Sequence, residues 1–259
     1  MKESVNNFFK YKYRAAALVD IGKKRTSNQD EVILCPEIGF YAVSDGMGGL
    51  SDGGKTSAII RQVLPDMLCN ALYDFKDKPS PNNIATLLKK QVCIVSDSIY
   101  SGGNKEDRYS FGATLSGVWL MGKYAIFVNV GDSRGYLLPR YKRNIMQVTH
   151  DHNVAAILVN NGELAKEEAC NHPSSSQLTR FIGMQSPALP EVFIMDIMPG
   201  DRILLCSDGL YGMIEDTVLP RIIRSSRNCN VVCKQLVDRA NSNGGRDNIS
   251  AVYIKLCKK

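Results

Sequence analysis

Five aspartates in this 259-residue chain share one local setting, because each stands beside a short apolar segment that favours a β-strand. Three follow such a segment, Asp45, Asp132 and Asp208, and two precede one, Asp30 and Asp247. A single Asp-Gly after a strand is usually only a turn, and we interpret Asp196 and Asp201 in that way. The recurrence of the pattern, not any one member, indicates a functional site.

Carboxylates gathered at the ends of central strands repel one another unless cations neutralise them. Hard oxygen ligands without histidine or cysteine select Mg²⁺ or Mn²⁺ over zinc. Gly46, directly after Asp45, lets the backbone turn sharply and can bring a carbonyl oxygen close to an ion. The residue types therefore predict a divalent-cation site.

The elements that must position these aspartates can be read from hydrophobic patterning. Strands are predicted over residues 40–44, 113–119, 124–130, 135–138, 202–207 and 249–256. The three strands between residues 113 and 138 are joined by turns too short for a parallel crossover, so they must be antiparallel. Helical spacing predicts long helices over 55–71 and 82–100, and shorter ones over 153–160, 217–225 and 231–241. This order predicts an α+β layered sandwich, not a doubly wound parallel sheet.

Composition narrows the class of protein. Hydrophobic residues make up 44% of the chain and charged residues 22%, as is ordinary for a soluble globular protein. The chain contains no run of 18 apolar residues, so we expect no membrane span. The net charge of +6 indicates a basic but ordinary surface first, and a face that attracts acidic or phosphorylated partners second. The scattered basic residues argue against nucleic-acid binding. Eight cysteines without a C-x-x-C pair indicate reduced thiols in a cytoplasmic protein.

Nothing resembling a linker divides the chain, so we predict one domain over residues 1–259. The hydrophobic periodicity that predicts helices and strands weakens after residue 160, where clusters of polar residues take its place. We predict a flap over about residues 153–190, because long excursions in a compact domain are often functional.

Motifs in a fixed order resemble the PPM family, the PP2C-like protein phosphatases, and its bacterial branch in particular. The resemblance runs from about Asp20 to Lys255. Its segments are 20–22 (DIG), 25–30 (RTSNQD), 43–49 (VSDGMGG), 110–114 (SFGAT), 130–134 (VGDSR), 149–152 (THDH), 178–180 (LTR), 200–201 (GD), 206–210 (CSDGL) and 246–248 (RDN). One such motif is weak, but this many in the family's order is a specific signal.

The resemblance implies a four-layer αββα sandwich, with two central, mostly antiparallel sheets flanked by helix pairs. It also implies two Mn²⁺ or Mg²⁺ ions at one end of the sandwich, with a third and weaker ion beside them. Asp45 and the Gly46 carbonyl match the positions that serve both metals, and Asp30 matches one that serves a metal largely through water. Asp208 and Asp247 match ligands of the other metal, and Asp132 matches the third-site position.

The resemblance further implies hydrolysis of phosphoserine and phosphothreonine in proteins by a water held between two metals, without a phospho-enzyme. Arg25 matches the arginine that grips the substrate phosphate, through a planar fork of donors that lysine lacks. Partners would be phosphorylated proteins and a cognate serine/threonine kinase, and we expect a monomer. Two positions depart from the common pattern: Met47 replaces a histidine thought to protonate the leaving alcohol in eukaryotic relatives, and Gln29 replaces a glutamate.

Two alternatives remain open, a nucleoside triphosphatase and a pseudophosphatase. The stretch from Gly49 to Thr56 fits the P-loop pattern G-x-x-x-x-G-K-[ST], which would make the chain a nucleoside triphosphatase. Cys233 and Arg239 fit the C-x₅-R pattern of cysteine phosphatases by chance, because the residues between them contain no glycine for a phosphate-cradling loop. A pseudophosphatase that binds without turnover would keep the fold, although all five acids and Arg25 are present.

Overall fold

Two antiparallel sheets lie face to face in the computed structural model, which describes residues 11–48, 52–75, 77–102, 111–185 and 187–258. In chain order the strands are β1 (Lys12–Asp20), β2 (Asp30–Cys35), β3 (Phe40–Gly48), β4 (Phe111–Ala113), β5 (Leu115–Met121), β6 (Tyr124–Val130), β7 (Arg134–Leu138), β8 (Met146–Gln147), β9 (Glu191–Asp196), β10 (Arg202–Cys206) and β11 (Ile249–Cys257). The first sheet has the order β1-β11-β10-β7-β8, and the second has β2-β3-β5-β6-β9 with β4 paired to β3.

Helices cover the outer face of each sheet. They are α1 (Asp52–Tyr73), α2 (Pro81–Gly102), α3 (Val154–Asn160), α4 (Asp208–Tyr211), α5 (Leu219–Arg224) and α6 (Cys229–Ser242). The long helices α1 and α2 pack on the second sheet, and α4, α5 and α6 pack on the first. Short 3₁₀ turns, Ala169–Asn171 and Pro173–Ser176, follow α3.

Three hydrophobic cores correspond to the three contacts between layers. Tyr41, Phe127 and Val252 are buried between the two sheets. Leu64 of α1 and Leu88 of α2 are buried against the second sheet, and α6 packs on the outer face of the first sheet. The central strands are therefore buried on both faces, which explains their nearly continuous apolar sequence.

The predicted α+β four-layer sandwich is confirmed, and every strand pairing in the described residues is antiparallel. All six predicted strands are present, although the segment 113–119 is divided between β4 and β5. The strands β1, β2, β8 and β9 and the short helix α4 were not among the predicted elements. The five predicted helices are found with ends that differ by up to three residues.

The segment predicted to be a flap is anchored at both ends, by bridges between Asn153 and Leu178 and between Ala113 and Ile182. Its mobility and the single-domain assignment stay predictions. The first ten residues, residues 49–51 of the P-loop match and Ser110 of the fourth motif lie outside the described residues. In the parts of the chain described here, no helix is long and apolar enough to cross a membrane.

Candidate active site

The acidic pattern converges at one end of the two sheets. Asp30 at the start of β2 lies opposite Asp45 in β3, in the same antiparallel register. Burial raises the pKa of Asp45 well above its ordinary value, and the next contributions come from the charges of Asp30, Asp208, Asp132 and Asp247. Since these effects require proximity, all five predicted acids share one neighbourhood.

Two carboxylate oxygens in this cluster are buried and have no hydrogen-bond partner among the described residues, Asp30 Oδ1 and Asp208 Oδ1. Burial raises the pKa of Asp30 to about 7, with the charge of Asp208 adding to the effect. Burial and the charge of Asp247 raise the pKa of Asp208 to about 6. Unpartnered buried carboxylate oxygens are costly, and they are the donors that hard divalent cations prefer.

Protein donors hold several of these side chains in the present conformation. Ser207 Oγ donates to Asp30 Oδ2 at 2.6 Å, and Asn248 N donates to Asp247 Oδ1 at 2.8 Å. Within the described ranges, no three acidic, histidine or cysteine side chains are gathered tightly enough to enclose an ion. The donor set fits a divalent-cation centre in its chemistry, and side-chain rotations would have to complete the coordination.

Gly46 has no room for a side chain. A Cβ at this position would lie 2.2 Å from the Gly53 carbonyl oxygen in α1 and 2.8 Å from the Gln29 oxygen. Gly46 N donates to Gln29 O at 3.1 Å, and Ser57 Oγ donates to the same oxygen at 2.6 Å. Gly53, at a variable position of the P-loop match, therefore serves the close packing of α1 against β3.

Arg25 lies at the rim of the acidic cluster. Its Nη2 donates to Asp247 Oδ2 at 2.7 Å, and its side chain is 54% exposed. The hydrogen bond to Asp247 raises the pKa of the guanidinium, and the charges of Asp208 and Asp45 also act on it. The predicted phosphate-binding cation is thus beside the predicted metal ligands and still open to solvent.

Sequence reasoning assigned no role to Asn248, which ties the segment between β1 and β2 to the start of β11. Its buried side chain donates to the carbonyl oxygens of Ile21 (2.9 Å) and Ser27 (3.0 Å) and accepts from Gln29 N (2.9 Å). The segment from Ile21 to Gln29 carries Arg25 and leads into Asp30. The only signal in the sequence was that Asn248 directly follows Asp247 in the RDN motif.

A family profile described as "Protein phosphatase 2C" matches residues 23–241. The chain belongs to that family. It is 33% identical over 214 residues to the "Serine/threonine phosphatase stp" of Listeria welshimeri, covering 82% of each chain. The predicted class, a metal-dependent protein phosphatase, is therefore confirmed.

Solved structures of other phosphatases share the fold. The PPM Ser-Thr phosphatase MsPP from Mycobacterium smegmatis, in complex with cacodylate, has a TM-score of 0.74 and 31% identity, covering 94% of this chain and 98% of that one. The catalytic domain of the phosphatase PstP, in complex with 2 manganese ions, has a TM-score of 0.76 and 25% identity, covering 95% and 99%. The P-loop alternative is not supported, since it requires a parallel sheet.

A buried ion pair of this 2C-type phosphatase was also missed. Arg134 donates to both carboxylate oxygens of Asp151, at 2.9 Å from Nε and 2.6 Å from Nη2, and its guanidinium lies 3.7 Å from the centre of the Tyr211 ring. Burial raises the pKa of Asp132 well above its ordinary value, followed by the charges of Asp208 and Asp151. The charge of Arg134 partly offsets this rise in the pKa of Asp132. The ion pair with Asp151 also holds the start of β7 in place beside Asp132.

The three histidines lie outside the acidic cluster. His152 Nδ1 accepts from Gly131 N at 3.2 Å, and burial lowers the pKa of His152. His172 Nδ1 accepts from Ser174 N at the start of a 3₁₀ turn. His150 is largely exposed and bonds Glu191 at 3.0 Å.

Proposed function

We propose that this phosphatase hydrolyses phosphoserine and phosphothreonine in proteins, with its centre at the cluster of five aspartates. The observation that carries the proposal is the meeting of acids from five separate segments, with two buried oxygens left unpartnered. The relatives that bear the name serine/threonine phosphatase support the substrate class.

We assign the metal ligands as in the sequence prediction. Asp45 and the Gly46 carbonyl would serve two ions, Asp30 one of them, and Asp208 and Asp247 the other. Asp132, at the end of β6, would belong to a weaker third site. The 2 manganese ions of the PstP catalytic domain support Mn²⁺ as one occupant, and the oxygen-only donors equally suit Mg²⁺. Bound cations of this kind acidify water and neutralise charge on phosphoryl oxygens.

The residues of the chain itself hold the substrate and keep the acids in place. Arg25 offers two parallel N–H donors to the phosphate, which must compete with the Asp247 carboxylate for them. Asn248 fixes the loop that carries Arg25, and Ser207 orients Asp30. Thr114 Oγ1 accepts from Asp45 N at 3.0 Å, which fixes the backbone of β3 where the site begins. Met47 carries no proton that it could donate to the leaving alcohol.

The proposal also covers the partners of the protein and its cellular compartment. A net charge of +6 suits acidic or phosphorylated proteins, and a kinase acting on the same targets would supply the substrate. All eight cysteines are free thiols, which suits a reducing cytoplasm. We keep a single domain over residues 1–259, a movable flap over about 153–190, and a monomer as expectations.

The direct test is phosphate release from phosphoserine, phosphothreonine and phosphotyrosine peptides, with and without chelator. We expect activity on the first two peptides, its loss in EDTA, and its return with Mn²⁺ or Mg²⁺. Activity that persists in chelator would refute the metal centre. Tight metal-dependent binding of phosphopeptide without any turnover would instead favour the pseudophosphatase.

A further inference from the structure

A groove of about 470 Å³, which we call the edge groove, lies beside the first half of β9, an edge strand of its sheet. It is lined by Lys89, Cys93, His150, Arg180, Val192 and Phe193, among others. β9 pairs with β6 on one side, and in the residues that the structure describes no strand occupies its other side. An uncovered strand edge presents backbone N–H and C=O groups that another extended chain can pair with.

Side chains from both faces of the sheet line the edge groove. Lys89 and Cys93 belong to α2, which covers one face, and Val192 packs into the core on that side. Phe193 packs toward the other sheet and contacts His150 edge to face, with ring centres 5.1 Å apart. Because both faces contribute walls, the floor of the groove is the strand edge itself. This is the geometry that accepts an added β-strand.

The edge groove begins at the catalytic end of the sheet. Glu191, the first residue of β9, lies opposite Asn129, three residues before Asp132. One imidazole ring joins the two places, since His152 Nδ1 accepts from Gly131 N at 3.2 Å and its Nε2 lies 3.5 Å from Glu191 Oε2. A peptide whose phosphoresidue sits among the acids could therefore continue into the groove.

The charge of the edge groove favours an acidic occupant. Lys89 is exposed and has no acidic partner in the described part of the chain, whereas Arg180 Nη1 lies 3.4 Å from Glu191 Oε1. One cation is thus left unneutralised at the groove. An apolar side chain also lines it, because Leu189 is 59% exposed there. A segment that alternates acidic and apolar residues matches this surface.

We propose that the segment beside the phosphoresidue of a protein substrate, extended and acidic, adds to β9 as an extra strand in the edge groove. This inference rests on the proposed function and deepens it, because it specifies which phosphoproteins the enzyme prefers. The backbone pairing would supply affinity, and Lys89 would select acidic side chains.

Charge reversal tests the selection of acidic segments. We expect Lys89→Glu to raise KM for an acidic phosphothreonine peptide about fivefold, with kcat unchanged. The matched control is Lys90→Glu, an equal charge change at an exposed neighbour in α2 that does not line the groove. A lysine-flanked peptide should not show the penalty. Equal KM values for the two variants on the acidic peptide would overturn the proposal.

Backbone pairing is tested with N-methyl groups at alternate positions of the same peptide. Methyl groups on the odd-numbered or on the even-numbered amides should raise KM several-fold, and those on the other set should not. The reason is that every second N–H of an added strand points to β9. Equal effects of both sets would exclude strand addition. Hydrolysis of p-nitrophenyl phosphate should be the same in all variants. If the wild type fails on that ester, the proposed function fails, while fluorescence anisotropy with a phosphonate version of the peptide still measures docking.

Discussion

Replacing Asn248 by alanine should destabilise the protein and weaken its activity together. The substitution removes two hydrogen bonds to carbonyl oxygens and one from Gln29 N. Each unsatisfied buried group costs about 1–3 kcal/mol. Ile21 and Ser27 lie in an exposed segment, so water can replace part of the loss. We therefore expect a decrease of about 2–3 kcal/mol in the free energy of unfolding, which corresponds to a Tm lower by roughly 5–10 °C in a chain of this size.

The Asn248→Asp variant tests whether stability depends on the N–H donors of the amide or only on the volume of the side chain. Asn248→Asp keeps an oxygen that can accept from Gln29 N, but it turns a second carboxylate oxygen toward two carbonyl oxygens. It also places another negative charge beside Asp247. Asn248→Asp should therefore be less stable than Asn248→Ala, although it is the closer match in volume.

Thermal unfolding followed by circular dichroism, together with p-nitrophenyl phosphate hydrolysis, measures both effects. The control is Asn161→Ala, which removes a surface hydrogen bond to Glu163 and should change the unfolding free energy by less than about 0.5 kcal/mol. The reasoning is refuted if Asn248→Ala resembles this control, or if Asn248→Asp proves more stable than Asn248→Ala.

Three further perturbations address the acids, the arginine and pH. Asp208→Asn should lower turnover by about 100-fold or more, with an unchanged circular dichroism spectrum; the exposed Asp196→Asn is its control, and equal rates would remove Asp208 from the site. Arg25→Ala should raise KM for phosphopeptides about tenfold, while Lys24→Ala should not; an unchanged KM would assign phosphate binding elsewhere. The raised pKa values of Asp30 (about 7) and Asp208 (about 6) mean that the folded, metal-free protein binds protons that the unfolded chain releases, so its stability should fall as pH rises from about 4 to 7. Cations compete with those protons, so the rise in Tm caused by Mn²⁺ should be larger at about pH 7.5 than at about pH 5.5; an equal rise at both would contradict these pKa values.

Sequence patterning found the inner strands and missed the edges. The six predicted strands correspond to β3, β5, β6, β7, β10 and β11, which occupy the inner positions of the two sheets. The edge strands β1, β2, β8 and β9 carry mixed sequences, because each is buried less completely and must keep polar groups toward water. The alanine-rich middle of β1 adds a weak preference for extended structure.

The acids of the site could be predicted because each is tied to a strand end, which is a local signal. The side chains that hold them could not be predicted in this way. Ser207 reaches Asp30 across 177 positions, and Asn248 reaches Ser27 across 221. Arg134 and Asp151 are brought together by the antiparallel pairing of β7 with β8, which no short motif predicts. Such contacts depend on how loops meet in space, whereas strand ends depend on the order of neighbouring residues.

The pairing of β1 with β11 has a consequence for synthesis of the protein. β1 joins β11 along its whole length, from Lys12 opposite Cys257 to Asp20 opposite Ile249. β1 thus waits for a strand that is made more than two hundred residues later, and contacts of such long range fold slowly. Asp247, a proposed metal ligand, is also made late, so we expect a nascent chain to lack phosphatase activity until nearly all of this sequence has emerged from the ribosome. We therefore expect activity to appear only once the fold is complete.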